Sequence, residues 1–277
     1  VTAQDTVERS DSPTRIAAFF DLDKTVIAKS STLAFSRPFF QQGLINRRAV
    51  LKSAYAQFLM LAGADEDQLD RMRAHITSLC TGWDVAQVRA IVEETLHDVV
   101  DPLVYKEATQ LIADHREQGH DVVLVSSSGE EVVEPIARML DITHFAGTRM
   151  TVTDGVYTGE LDFHCHGRQK AAALTAIAER NGYRLADSHA YSDSISDLPF
   201  LEAVGHPTAV NPDRALRKEV VQRGWPMLTF DHTVSLRARI PTPSGATVTA
   251  AAIGLSAVAA AGVAWYGHRR LRRRRGD

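Results

Sequence analysis

Two carboxylates, Asp21 and Asp23, stand one residue apart, and a hydroxyl, Thr25, follows two residues on. The apolar run Ile16-Ala17-Ala18-Phe19-Phe20 precedes them and reads as a buried central strand. Strand periodicity turns side chains two positions apart to the same face, so both acids look the same way. The carboxyl end of such a strand is where open α/β sheets place their sites. Neighbouring carboxylates repel unless a cation or a proton intervenes. Asp-x-Asp with a hydroxyl two residues on therefore points to a hard metal ion and a phosphate. Asp is also common in turns after strands, so the pair by itself leaves both readings open.

A sheet must hold such a pair, and the chain supplies strands alternating with helices. From Thr25 to Gly119 no strand-like alternation occurs. Apolar residues at Leu44, Val50, Leu51, Tyr55, Phe58 and Leu59 predict a helix over 44–62. Further helices are expected over 65–80, with Asp65 as N-cap, and over 85–97, capped by Asp84. Pro102 suits the start of another, running to about residue 118. This stretch reads as an all-helical insertion between the first two strands. The second strand is the apolar run over 120–126, of the kind buried on both faces in parallel sheets. A polar turn, Ser126-Ser127-Ser128-Gly129, and a helix over 130–140 containing Pro135 follow it. Asp154-Gly155 predicts a β-hairpin over 150–161. Later elements are a helix over 171–180, a strand over 189–192, a strand over 207–211, a helix over 214–222 and a short strand over 225–230. The alternation predicts an α/β fold, a doubly wound parallel sheet with right-handed crossovers. His164-Cys165-His166 offers three consecutive soft ligands, but adjacent strand residues face opposite sides and spacing supplies no fourth, which argues against zinc.

In order, Asp21-Leu22-Asp23-Lys24-Thr25, Ser126 at the end of the second strand, Lys170 at a helix start, and Asp193 with Asp197 four residues on resemble the four motifs of the haloacid dehalogenase (HAD) superfamily. The likeness spans about residues 15–230. It is nearest the phosphoserine-phosphatase-like IB group with a helical cap, including actinobacterial members associated with morphological differentiation. The resemblance implies a HAD-like core over 15–29 and 101–232 and an all-α cap over 30–100. It also implies Mg²⁺, bound by the carboxylates of Asp21 and Asp193 and the backbone carbonyl of Asp23, with Asp197 acting through a water or a second-layer contact. Asp21 would be the nucleophile that forms an aspartyl phosphate, and Asp23 the general acid and base. Lys170, Thr25 and Ser126 would compensate the charge on the phosphoryl oxygens, with Ser127 as a further phosphate-binding candidate. The implied activity is a Mg²⁺-dependent phosphomonoester hydrolase acting on a small phosphorylated metabolite. Two alternatives are transfer of the same phosphoryl group to an acceptor other than water, and a membrane-tethered regulator that binds a phosphorylated ligand with little turnover. The acids at both 21 and 23, together with Lys170 and Asp193, weigh against the regulator. In phosphoserine phosphatases a Glu five residues beyond the first-motif Thr contacts the substrate amine; the ungapped equivalent here is Ser30, beside Lys29.

The 277 residues are 44% hydrophobic and 23% charged, a globular composition. The net charge of −3 is uneven. Residues 1–268 hold 25 of the 31 Lys and Arg and 33 of the 34 Asp and Glu, which leaves this body at −8. An acidic body does not suggest a nucleic-acid protein. Cys80 and Cys165 make no disulfide framework. Residues 1–14 are polar, lack the pattern of a signal peptide and read as a disordered lead-in. After a linker over 233–245, residues 246–266 carry no formal charge and would form a helix about 31 Å long, enough to span hydrocarbon. Six Arg follow within 269–275, in a basic tail over 267–277. The expectation is attachment to the cytoplasmic membrane through this helix and the Arg cluster, with the catalytic domain in the cytoplasm. Whether the helix spans is left open.

Overall fold

The first strand, β1 (Ala17–Phe20), is buried along its whole length because both of its faces carry a core. The computed structural model describes residues 15–44 and 77–233. The other strands are β2 (Asp121–Gly129), β3 (His144–Thr153), β4 (Val156–Phe163), β5 (His189–Ser192), β6 (His206–Val210) and β7 (Met227–Leu228). They form one sheet in the order β4-β3-β2-β1-β5-β6-β7. All pairings are parallel except β3–β4. That exception is the expected hairpin: Asp154 and Gly155 have φ of 52° and 81°, as a two-residue hairpin turn requires.

Among the helices that accompany the sheet in the described residues are α1 (Ser31–Ala34), α2 (Ser36–Gln41), α3 (Val85–Val99), α4 (Lys106–Glu117), α5 (Glu130–Met139), α6 (Arg168–Asn181), α7 (Leu198–Glu202) and α8 (Arg214–Arg223). The period of two in β1 divides the core. Ala18 and Phe20 join Leu124 and side chains of α3, α4 and α5, such as Ile91, Ile112 and Ile136. Ala17 and Phe19 join Val123 and Val125 with Leu174 of α6, Phe200 of α7 and Leu216 of α8. Each large apolar side chain buried this way contributes about 1.5–3 kcal/mol.

Three local expectations change. The sheet does not end at Ser126; β2 continues to Gly129 with a shift in register against β3. The Thr148 hydroxyl holds that bulge by donating to the Ser127 carbonyl at 2.8 Å. A Cβ at Gly147 would lie 2.9 Å from the Ser128 carbonyl oxygen, so only glycine admits this approach. Pro102 opens only a 3₁₀ turn, Asp101–Leu103, before α4. The chain leaves the helical path there to pair with the loop after β1: Ala28 N–H donates to the Leu103 carbonyl at 2.8 Å and Tyr105 N–H to that of Val26 at 3.0 Å. The last expected strand is only two residues long, Met227–Leu228.

The hairpin meets the residues that lead into α3. Gly82 N–H donates to the Tyr157 carbonyl at 2.8 Å, Tyr157 N–H to that of Trp83 at 3.0 Å, and Val85 N–H to that of Gly155 at 3.0 Å. Asp84 caps α3 as expected, its carboxylate accepting from Gln87 N–H at 2.8 Å. The lead-in over 1–14, the expected helix over 44–62, most of that over 65–80, and the C-terminal helix with its Arg cluster lie outside the described residues. Among the described residues no helix is long and apolar enough to cross a membrane.

Candidate active site

β1 delivers Asp21 to the carboxyl end of the sheet, where its N–H continues the ladder to the Tyr191 carbonyl at 2.9 Å. The chain then turns sharply. Lys24 takes φ of 62°, and the Val26 and Ile27 N–H groups both return to the Leu22 carbonyl. This turn buries Thr25 completely, and its Oγ1 has no hydrogen-bond partner among the described residues. An unpaired buried hydroxyl costs on the order of 1–3 kcal/mol, which a bound oxyanion would recover.

Asp23 is held separately from Asp21. Its Oδ1 accepts from Ser31 N–H at 2.9 Å, and its Oδ2 accepts from the Ser128 hydroxyl at 3.1 Å. The hydroxyls of Ser31 and Ser128 are themselves 2.7 Å apart. Burial raises the proton affinity of Asp23 above the usual carboxylate range despite these donors. Ser126 is buried, and its Oγ accepts from Ser128 N–H at 3.1 Å. Ser127 is exposed, unlike Ser126 and Ser128 on either side of it. The alternation of β2 thus brings Ser128, not Ser127, to the carboxylates.

Lys170 lies in the first turn of α6 and is buried. Gly167 starts that helix at φ 53° and ψ −122°, a conformation essentially reserved for glycine. The Lys170 Nζ lies 2.5 Å from both Asp21 Oδ1 and Asp197 Oδ2. Burial alone would lower the ammonium, but Asp197 and Asp21 outweigh it and raise it. Asp21 is raised well above the ordinary range, mainly by burial, with Asp197, Asp193 and Asp23 adding to it against the pull of Lys170.

Asp193 follows β5 and is raised to about 7, chiefly by burial. Its nearest cation is Lys24, 3.9 Å away at the rim. The Ser192 hydroxyl donates to Asp197 Oδ2 at 2.6 Å. Asp213 braces the loop from below: it accepts from Ile195 N–H at 2.9 Å, and from Leu216 N–H at 2.8 Å as the cap of α8. Its own N–H donates to the Asp193 carbonyl at 2.8 Å.

The fold therefore gathers Asp21, Asp23, Thr25, Ser126, Lys170, Asp193 and Asp197 at one end of the sheet and leaves Ser127 at the surface. Sequence reasoning missed Ser31, the hydrogen bond of Ser192 to Asp197, and the bracing by Asp213. Ser128 was detectable, being two residues beyond Ser126 on a strand; nothing local marked Ser31. The carboxylates of Asp21, Asp193 and Asp197 offer only oxygen donors. Carboxylates buried close together, whose proton affinities rise for that reason, fit a hard divalent cation such as Mg²⁺.

A family model, haloacid dehalogenase-like hydrolase, matches residues 18–202. A probable phosphatase of Mycobacterium tuberculosis is 64% identical over 253 residues, 91% of this chain and 88% of that protein. The inhibition of morphological differentiation protein of Streptomyces azureus is 57% identical over 262 residues, 92% of this chain and 94% of that one. A solved phosphoserine phosphatase, captured as a phospho-aspartyl intermediate analogue, superposes with a TM-score of 0.57 at 18% identity. The match covers 81% of this chain and 97% of that one, a likeness of fold.

Proposed function

This chain belongs to the haloacid dehalogenase-like hydrolases, and from that premise we propose that it is a Mg²⁺-dependent phosphomonoesterase acting through an aspartyl phosphate on a small phosphorylated metabolite. The observation that carries this reading is the division of labour between two neighbouring acids. Lys170 ties Asp21 to Asp197, while Asp23 is aimed independently by Ser31 and Ser128.

Asp21 attacks phosphorus in line, so that a bond forms between its carboxylate oxygen and phosphorus as the bond to the leaving oxygen breaks. Asp23, whose proton affinity is raised, gives its proton to that oxygen. In the second half a water attacks the same phosphorus, Asp23 takes the proton of the water, and Asp21 departs as a carboxylate. Inorganic phosphate is released. Lys170, the unpaired Thr25 hydroxyl and Ser126 donate to the phosphoryl oxygens, whose charge would otherwise repel the nucleophile. Asp21, Asp193 and the Asp23 carbonyl would hold Mg²⁺, with Asp197 behind them; when bound it neutralises charge between carboxylate and phosphate.

The test is hydrolysis of p-nitrophenyl phosphate by the full chain with and without Mg²⁺. Turnover is expected only with the ion. Asp21→Asn is expected to abolish it while leaving the thermal transition cooperative. Near-normal Mg²⁺-dependent turnover by that variant would rule the mechanism out.

A further inference from the structure

At the opposite end of the sheet, the amino ends of β2, β5 and β6 gather imidazoles that the phosphatase chemistry does not use. His120 immediately precedes β2, His189 opens β5 and His206 opens β6, while His115 reaches the group from the last turn of α4. One ligand atom from each of His115, His120 and His189 can be chosen so that all three lie within 4.8 Å of one another. We propose that these three histidines form a binding site for a borderline divalent transition-metal ion, such as zinc, nickel or copper(II), separate from the carboxylates at the other end of the sheet.

The rings already stand close enough for one ion to bridge them. His115 Nδ1 and His120 Nδ1 lie 2.9 Å apart and share a hydrogen bond that a bound ion would replace. Two nitrogens bound to one ion at about 2.0–2.1 Å are about 2.9 Å apart when cis and about 3.4 Å apart in a tetrahedron. The other nitrogen of His115, Nε2, lies 2.8 Å from the Tyr191 hydroxyl. A ligating histidine characteristically donates its second N–H to such a partner, which fixes the tautomer and leaves the first nitrogen its lone pair. The set contains imidazoles and no carboxylate, a donor type that suits zinc, copper and nickel and not Mg²⁺. His115 is buried and anchored, whereas His120 and His189 are half-buried, which gives an ion a route in. His206 lies outside the ligand set; it faces His189 across β5–β6 and stacks on it at 4.7 Å, restraining that ring. Three protein ligands leave a further position for water.

The test uses the full chain, stripped with EDTA, desalted and kept in saturating Mg²⁺ so that the carboxylates are occupied. Calorimetric titration with Zn²⁺ or Ni²⁺ is expected to show one ion per chain bound at micromolar concentration or tighter. The double variant His120→Gln, His189→Gln is expected to lose at least tenfold in affinity while keeping its Mg²⁺-dependent turnover and its melting temperature in EDTA. Tyr191→Phe is expected to weaken binding by about 10–100-fold with all three ligands in place. Cu²⁺ bound to the wild-type chain should show coupling to three imidazole nitrogens by electron paramagnetic resonance, a readout that stands even if the double variant fails to fold. Coupling to fewer than three nitrogens, no binding above the Mg²⁺ background, or unchanged affinity in the double variant would overturn the site.

Discussion

Lys170 Nζ and Asp197 Oδ2 lie 2.5 Å apart with both side chains nearly sealed from solvent. Asp21 shares the same ammonium, so one buried cation holds two buried anions. Removing one partner of such a group leaves charge without compensation, at about 3–5 kcal/mol. Lys170→Met is expected to destabilise the metal-free chain by roughly that amount at pH 8 in urea unfolding. The loss should shrink as pH falls, because burial raises the proton affinity of Asp21 and its carboxylate loses its charge first. A loss independent of pH would mean that Lys170 acts mainly through packing.

Asp23→Asn removes the proton donor for the first half-reaction and the acceptor for the second. A fall in kcat of about 10²–10⁴ is expected. Because Asn can accept from Ser31 N–H through its oxygen and donate to the Ser128 hydroxyl through its NH2, the fold should persist. The phosphorylated Asp21 should accumulate in the variant, visible by rapid acid quench, when the leaving group is good enough to depart unprotonated. Unchanged kcat with p-nitrophenyl phosphate and with an alkyl phosphate alike would contradict the role given to Asp23.

The raised proton affinity of Asp193 makes the metal-free chain sensitive to pH in an unusual direction. The ordinary value is 3.8 and the folded value is about 7. Between these, the folded chain binds a proton that the unfolded chain does not. Stability therefore falls as pH rises from about 4 to about 7 and then levels off. In EDTA the melting temperature is expected to drop across that window by a few degrees. With Mg²⁺ the trend should reverse, because the ion binds the deprotonated site and stabilises only the folded state. Calorimetric scans at both ends of the window, with and without the ion, check both signs.

Substrate choice is expected to diverge from phosphoserine. Ser30 stands where phosphoserine phosphatases carry an amine-binding Glu, and Lys29 beside it is exposed. A hydroxyl and an ammonium offer no counter-charge to a substrate amine. L-Phosphoserine should therefore be among the poorer substrates in a phosphomonoester panel. A kcat/KM for it well above all others would show that the ammonium is read elsewhere.

How much was legible in the sequence depended on whether the signal was local. The start of the second strand and the Asp154-Gly155 turn rest on neighbouring residues and stand where pattern and turn chemistry put them, whereas β1 ends at Phe20 and the turn after it, not strand period, places Asp23. The end of β2 was misjudged because three serines and a glycine read as a turn, whereas Thr148 and Gly147 on another strand let the pairing run on. The same extension brings Ser128 to Asp23 and leaves Ser127 outside. Ser31 and Asp213 serve the site through backbone N–H groups and helix ends, which leave no pattern in side-chain type. The histidine group was invisible for a related reason: its members come from a helix end and two strand starts far apart in the chain, while the eye-catching His164-Cys165-His166 is merely adjacent.

The outer backbone edge of β4 is covered at its start, where residues 82–85 exchange hydrogen bonds with Gly155 and Tyr157. An uncovered edge strand is a template for pairing with another chain. The segment ahead of α3 is therefore also a guard against association, and it cannot be traded as a free-standing module. A chimera that grafts a foreign insertion in place of residues 30–100 would strip this edge unless the graft brought its own backbone partner for β4, and self-association through β4 is the failure it would invite.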